Sequence, residues 1–134
     1  VVRVGKERFI IPALSILESL RPAKEQYSTV ERKGEMILSR GKLIPLIRLD
    51  QIFNIKSDSF NPWEGLVVVV EYEGRQMCLF LDELLGKEEV VIKSLGETLK
   101  DTKGIAGGAI MGDGRVGLIF DMAGIWDLMM GVEN

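Results

Sequence analysis

The residue types in this 134-residue chain that could do chemistry are few, and their spacing argues against most of it. There is no histidine, which removes the commonest general base and the Ser-His and Cys-His nucleophile pairs. Histidine-containing zinc sites go with it. Cys78, the single cysteine, cannot complete an all-thiolate site or an internal disulfide. It sits in the apolar run Met77–Leu81 with no base beside it, the place of a small core hydrophobe rather than a nucleophile. A free thiol without a disulfide framework suits a reducing, cytoplasmic setting.

The acidic and glycine-rich segments fare no better. Asp113-Gly114 has the look of a calcium-loop fragment, but Met111, Gly112, Arg115 and Val116 supply none of the side-chain oxygens that loop requires. Gly104–Gly108 is rich in small residues, yet it neither follows a strand and opens a helix nor precedes a Lys-Ser/Thr pair. It reads as a loop feeding a strand. Asp82-Glu83 and Glu88-Glu89 are adjacent pairs, and neighbours in a strand point to opposite faces rather than across one substrate. Asp82 and Asp121 each close an apolar strand, where a carboxylate caps backbone. No catalytic, metal-binding or cofactor-binding residue is expected, and the chain reads as non-enzymatic.

Tight turns position what remains. Gly5-Lys6, Gly41-Lys42, Glu73-Gly74 and Asp113-Gly114 each separate two apolar runs. Glycine there meets the positive φ of a short loop, and such loops join antiparallel neighbours. With Tyr27–Arg32 and Glu89–Lys93 added, about ten strands result. Residues 56–65 read as a turn-rich break between two strand-rich halves. Three helical pieces interrupt the strands. Ala13, Ile16, Leu17 and Leu20 follow Pro12 at helical spacing and stop at Pro22. Leu49–Phe53 is a turn or two. Asp121 is an N-cap for a helix whose apolar face is Met122, Ile125, Trp126, Met129 and Met130, ended by Gly131. The expectation is an all-β fold with short helices.

Lys and Arg total 17 against 20 Asp and Glu. Without a basic excess to meet phosphates, a nucleic-acid partner is not expected. No apolar run approaches the roughly 20 residues of a membrane-spanning helix, so no membrane insertion is expected either. The start at Val1 reads as that of a piece of a longer protein. What is left is surface. Phe53, Ile55, Phe60 and Trp63 crowd the central loop, and Phe53 and Trp63 are expected to fold back over the gap between halves. Leu43, beside the Gly41-Lys42 turn, stands as an exposed apolar group of the kind that marks contact sites.

Four segments carry a family resemblance. Gly5–Pro12, Gly34–Leu49 with Arg40-Gly41 ahead of Pro45, Leu81–Leu95 and Gly104–Val116 follow one another in the order seen in CheW-like domains. Within that family the chain resembles the C-terminal regulatory domains of chemotaxis histidine kinases (CheA) more than the free adaptors (CheW). The adaptors carry an Asn-Leu pair before Arg-Gly, where this chain has Leu38-Ser39. Val91–Leu95 and Met111–Gly114 also read as the kinase version.

The resemblance implies two packed, five-stranded Src-homology-type β-barrels within one domain, residues 1–134. It implies no cofactor and three kinds of partner: a CheW-type adaptor, the cytoplasmic tips of chemoreceptors, and the other domains of a parent kinase. It also implies recruitment to membrane receptor arrays. The family's adaptor surface, carried over by position, falls at Leu43 and Val30 with Ala13 and Ile16 nearby. Leu43 is taken as the anchor, and Arg40 and Lys42 as its polar rim. A stand-alone adaptor is the alternative within the family, and a small barrel binding oligonucleotides or ligands is the alternative outside it.

Overall fold

The computed structural model describes residues 1–31, 34–58, 61–87, 91–93 and 103–130. Its strands are β1 (Val2–Val4), β2 (Glu7–Ile10), β3 (Ile16–Leu20), β4 (Tyr27–Val30), β5 (Gly34–Ser39), β6 (Lys42–Arg48), β7 (Leu66–Tyr72), β8 (Arg75–Leu81), β9 (Glu83–Leu84), β10 (Val91–Lys93), β11 (Ile105–Ile110) and β12 (Val116–Phe120). Two α-helices, α1 (Leu49–Ile52) and α2 (Met122–Met130), and three single 3-10 turns (Ala13–Ser15, Lys24–Gln26 and Pro62–Glu64) complete the described elements.

The strands form two six-stranded sheets, packed together, in the mostly-β architecture expected. A central sheet runs β3-β7-β8-β6-β5-β4 and a terminal sheet runs β10-β11-β12-β2-β1-β9. Six strands per sheet replace the five anticipated, because β3 and the two-residue β9 add to the count. Within each sheet the pairing senses are the same. The third and fourth strands pair parallel, β8 with β6 and β12 with β2, and every other pair is antiparallel.

The sheets do not divide the chain at residues 56–65. β7 and β8 follow that loop yet continue the central sheet, while β1 and β2 join the C-terminal strands. The boundary therefore falls between β2 and β3 and again between β8 and β9. Alternation in β7 and β8 explains it. Val67 and Val69 with Cys78 and Phe80 face an interior owned by the central sheet, together with Ile37, Ile44 and Leu46. Val68 and Val70 with Met77, Leu79 and Leu81 face the opposite way, into a core shared with Val2, Val4, Phe9, Phe120 and Ile125. A strand apolar on both faces needs cover on both, and the terminal sheet supplies the second.

The segment after Pro12 is a second departure. Ala13–Ser15 makes one 3-10 turn, and Ile16–Leu20 is an edge strand against β7 rather than a helix. The apolar spacing suited a helix, but the exposed edge of the Val67–Val70 strand offered a backbone ladder that overrode it. Gly104 alone is the turn of the glycine-rich segment, and Ile105–Ile110 is strand throughout. Helix α2 starts as expected, with the Asp121 carboxylate accepting from the Ala123 amide at 3.2 Å. Its Met122 and Ile125 are buried, Trp126 and Met129 are half-buried and Met130 is exposed. Gly131 lies outside the described residues, as do Phe60, Glu88 and Glu89. Phe53 stacks on Phe9 and Phe120, with ring centroids 5.5 and 5.7 Å apart, and so covers the gap between sheets. Trp63 instead packs edge-on against Tyr27 of the central sheet.

Candidate functional site

Interior polar groups come first, because chemistry would reside there. Cys78 is fully buried, and burial, with a smaller contribution from Glu18, pushes its thiol up to about 12. A thiol so disfavoured as thiolate is no nucleophile near neutral pH. Arg48, also buried, donates to both carboxylate oxygens of Glu35 at 2.7 to 3.0 Å, and the Tyr27 hydroxyl donates to the same carboxylate at 2.7 Å. The Arg48 hydrogen bonds hold the Glu35 carboxyl below its usual range despite partial burial. This cluster fastens β4, β5 and β6 to one another. Asp82 accepts from the Gly5 amide at 2.6 Å and the Asp58 amide at 3.0 Å. It caps backbone, as anticipated, but of distant segments rather than of the residues that follow it. Among the described residues, no group of three or more Cys, Asp or Glu side chains is placed to hold a metal ion.

The exposed apolar residues are what the fold leaves unexplained, and several gather at the β5–β6 tip. Arg40 and Gly41 form its two-residue turn with φ of 51° and 79°, the both-positive geometry that matches strand twist. Lys42 is thus the first residue of β6 rather than part of the turn. Register sets Leu38 directly opposite Leu43, so the two share a face, and they are 42% and 50% exposed. On the β3 side, Leu17 is 49% exposed and Leu14, on the 3-10 turn before β3, is wholly exposed. A groove beside the tip is lined by Leu17, Glu18, Ser39, Arg40, Lys42, Ile44, Val69 and Gln76. Its charges are partly spent. The Ser39 hydroxyl donates to one Glu18 oxygen at 2.9 Å, and Arg40 pairs with the other at 2.7 Å.

The expected adaptor-surface residues are distributed unevenly. Leu43, Arg40 and Lys42 meet at the tip, and Ala13 is exposed on the turn that carries Leu14. Ile16 is half-buried and packs into the shared core. Val30 pairs with Gly34 at the opposite end of β5, about 17 Å from the tip at the rise of an extended strand. Leu14, Leu17 and Leu38 were missed by sequence reasoning. Leu38 carried a signal, since Ile37-Leu38 are adjacent apolar residues and a strand must turn one of them outward. Leu14 and Leu17 carried none that survived a helical reading of their segment.

Comparison with known proteins gives a consistent picture. The CheW-like domain family matches residues 1–128. The chemotaxis protein CheA of Klebsiella aerogenes is 33% identical over 124 residues, covering 92% of this chain and 19% of that protein. The sensor histidine kinase CheAY of Helicobacter pylori is 36% identical over 132 residues, covering 98% and 16%. CheA of Treponema pallidum is 37% identical over 128 residues, covering 95% and 16%. The chain thus spans less than a fifth of the length of these relatives. Among solved structures, the scaffolding protein TtCheW of Thermoanaerobacter tengcongensis superposes with a TM-score of 0.67 at 22% identity, covering 90% of this chain and 85% of that one. That likeness speaks for the fold.

Proposed function

The chain belongs to the CheW-like domain family, and from that premise we propose that it is the regulatory docking domain of a chemotaxis histidine kinase. In this role it holds the kinase to a CheW-type adaptor and to chemoreceptor tips, so that receptor state governs autophosphorylation elsewhere in the parent protein. The observation that carries the reading is the β5–β6 tip, where Leu38 and Leu43 stand in solvent beside Arg40 and Lys42. An apolar anchor inside a polar rim is the usual anatomy of a protein contact. Similarity to CheA proteins over nearly the whole chain favours a kinase domain over a free adaptor.

The test is a calorimetric titration of this domain with the CheW-type adaptor from the same genome. Leu43→Arg is expected to weaken binding by tenfold or more, roughly the loss from one well-placed interface residue. Its melting curve should stay that of the parent, because the side chain is half in solvent. No adaptor binding by the parent domain would remove the docking role. Unchanged affinity in the variant would remove Leu43 from the contact.

A further inference from the structure

The β5–β6 tip has an internal counterpart that is already occupied. β1–β2 and β5–β6 hold the same rank in their sheets, each next to the parallel pair. Over the β1–β2 turn lies the segment Ile55–Asp58. The Lys56 carbonyl sits where a Cβ on Gly5 would be, Ile55 packs against the shared core, and the Asp58 carboxylate pairs with Arg3 of β1 at 2.7 Å. The cover is therefore an aliphatic side chain followed, three residues on, by a carboxylate that meets a cation.

At the β5–β6 tip an apolar lining and a cation again occur together, though in register Lys42 takes the place of Glu7 and Leu38 that of Arg3. Leu17, Ile44 and Val69 line the groove together with Lys42, which is exposed where Ile44 is buried. Both Glu18 oxygens are taken by Ser39 and Arg40. Lys42 is exposed and has no ion-pair partner among the described residues. We propose that this groove receives a segment of a partner protein with the chemistry of Ile55–Asp58: an aliphatic side chain against Leu17 and Ile44, and a carboxylate about one strand turn away on Lys42. The inference rests on the docking role above and specifies what docks there: a short acidic-aliphatic loop, with Lys42 selecting for its charge.

The probe is the same adaptor, titrated at about 50 and about 300 mM salt into the parent domain, Lys42→Arg, Lys42→Glu and Leu17→Ser. Lys42→Glu is expected to weaken binding about five- to tenfold at low salt, the range of a reversed rim charge. Most of that loss should vanish at high salt as screening sets in. Lys42→Arg should bind as the parent does, and Leu17→Ser should lose affinity equally at both salts. If Lys42→Glu binds normally at low salt while Leu43→Arg still fails, docking stands and the acidic occupant is wrong. If the chain alone self-associates and Lys42→Glu abolishes it, the occupant is a second copy, which also overturns the assignment.

Discussion

The β1–β2 and β5–β6 hairpins occupy matching places, yet one turn is sealed by the protein's own chain and the other stands open. At the sealed turn, Asp82 takes the Gly5 and Asp58 amides, and Arg3 donates to Asp58, Glu83 and the Gly5 carbonyl. Three distant segments converge there, so that end of the terminal sheet is committed to internal structure. At the open turn the ion pair found among the described residues is local to the central sheet, Arg40 with Glu18, and no described segment covers the exposed Leu38 and Leu43. The difference teaches where to look for a partner. Two ends built alike would share their unmet needs, and the one whose needs are met internally shows what the other lacks.

The contrast can be broken most forcefully in the core behind it. Phe9 of β2 is buried and stacks on both Phe53 and Phe120. Phe9→Ala should cost about 3–5 kcal/mol in urea unfolding, whereas Leu43→Ala, beside the β5–β6 turn and half exposed, should cost under about 0.5 kcal/mol. Equal losses would mean that the β5–β6 tip is structural after all. The turn glycines give a smaller and sharper comparison. A methyl group on Gly5 would run into the Lys56 carbonyl, while one on Gly41 meets nothing within 4 Å, although both residues have positive φ. Gly41→Ala should cost about 1–2 kcal/mol, the penalty of left-handed backbone alone. Gly5→Ala should cost about 2 kcal/mol more, from the forced displacement of the covering segment. Near-parity by denaturant titration would mean that the cover over β1–β2 is loose.

A further effect, absent near neutral pH, reads the interior of the central sheet alone. The Cys78 thiol moves from an ordinary 9.0 to about 12 on burial. Below pH 9 it is neutral folded or unfolded, so its burial costs nothing extra. Between pH 9 and about 12 the unfolded chain ionises first and stability falls. Parent and Cys78→Ala should therefore diverge across that window in unfolding midpoint, and lie parallel below it. Parallel curves throughout would mean that the thiol is accessible in the folded protein.

Hairpin turns were legible because glycine with positive φ is a local requirement that sequence displays directly: Glu73-Gly74 honours it, and the Gly41 turn is displaced by one residue, to Arg40-Gly41 from the Gly41-Lys42 expected. The Asp121 cap was legible for the same reason. Sheet membership was not. The β2–β12 pairing joins Phe9 and Ile10 to Leu118 and Ile119, a contact across the length of the chain that no window of periodicity contains. The β3 misreading had another cause. Ala13, Ile16, Leu17 and Leu20 satisfy a helical stripe, while the three-residue 3-10 turn and the bulge after Ile16 blur the alternation that would have betrayed a strand. At the candidate site, Leu43, Arg40 and Lys42 were visible beside a turn, but the groove that Arg40 and Lys42 line was not. Leu17 of β3, Val69 of β7 and Gln76 of β8 complete it, placed there by pairing.

The stitching of β1–β2 between β9 and β12 also dictates an order of assembly during synthesis. Residues 16–81 contain every strand of the central sheet, so that sheet can close while later codons are still being read. The β1–β2 hairpin cannot. It is made before the central sheet yet finds its berth after it, once Phe120 has cleared the exit tunnel, and meanwhile Val2, Val4 and Phe9 need shelter.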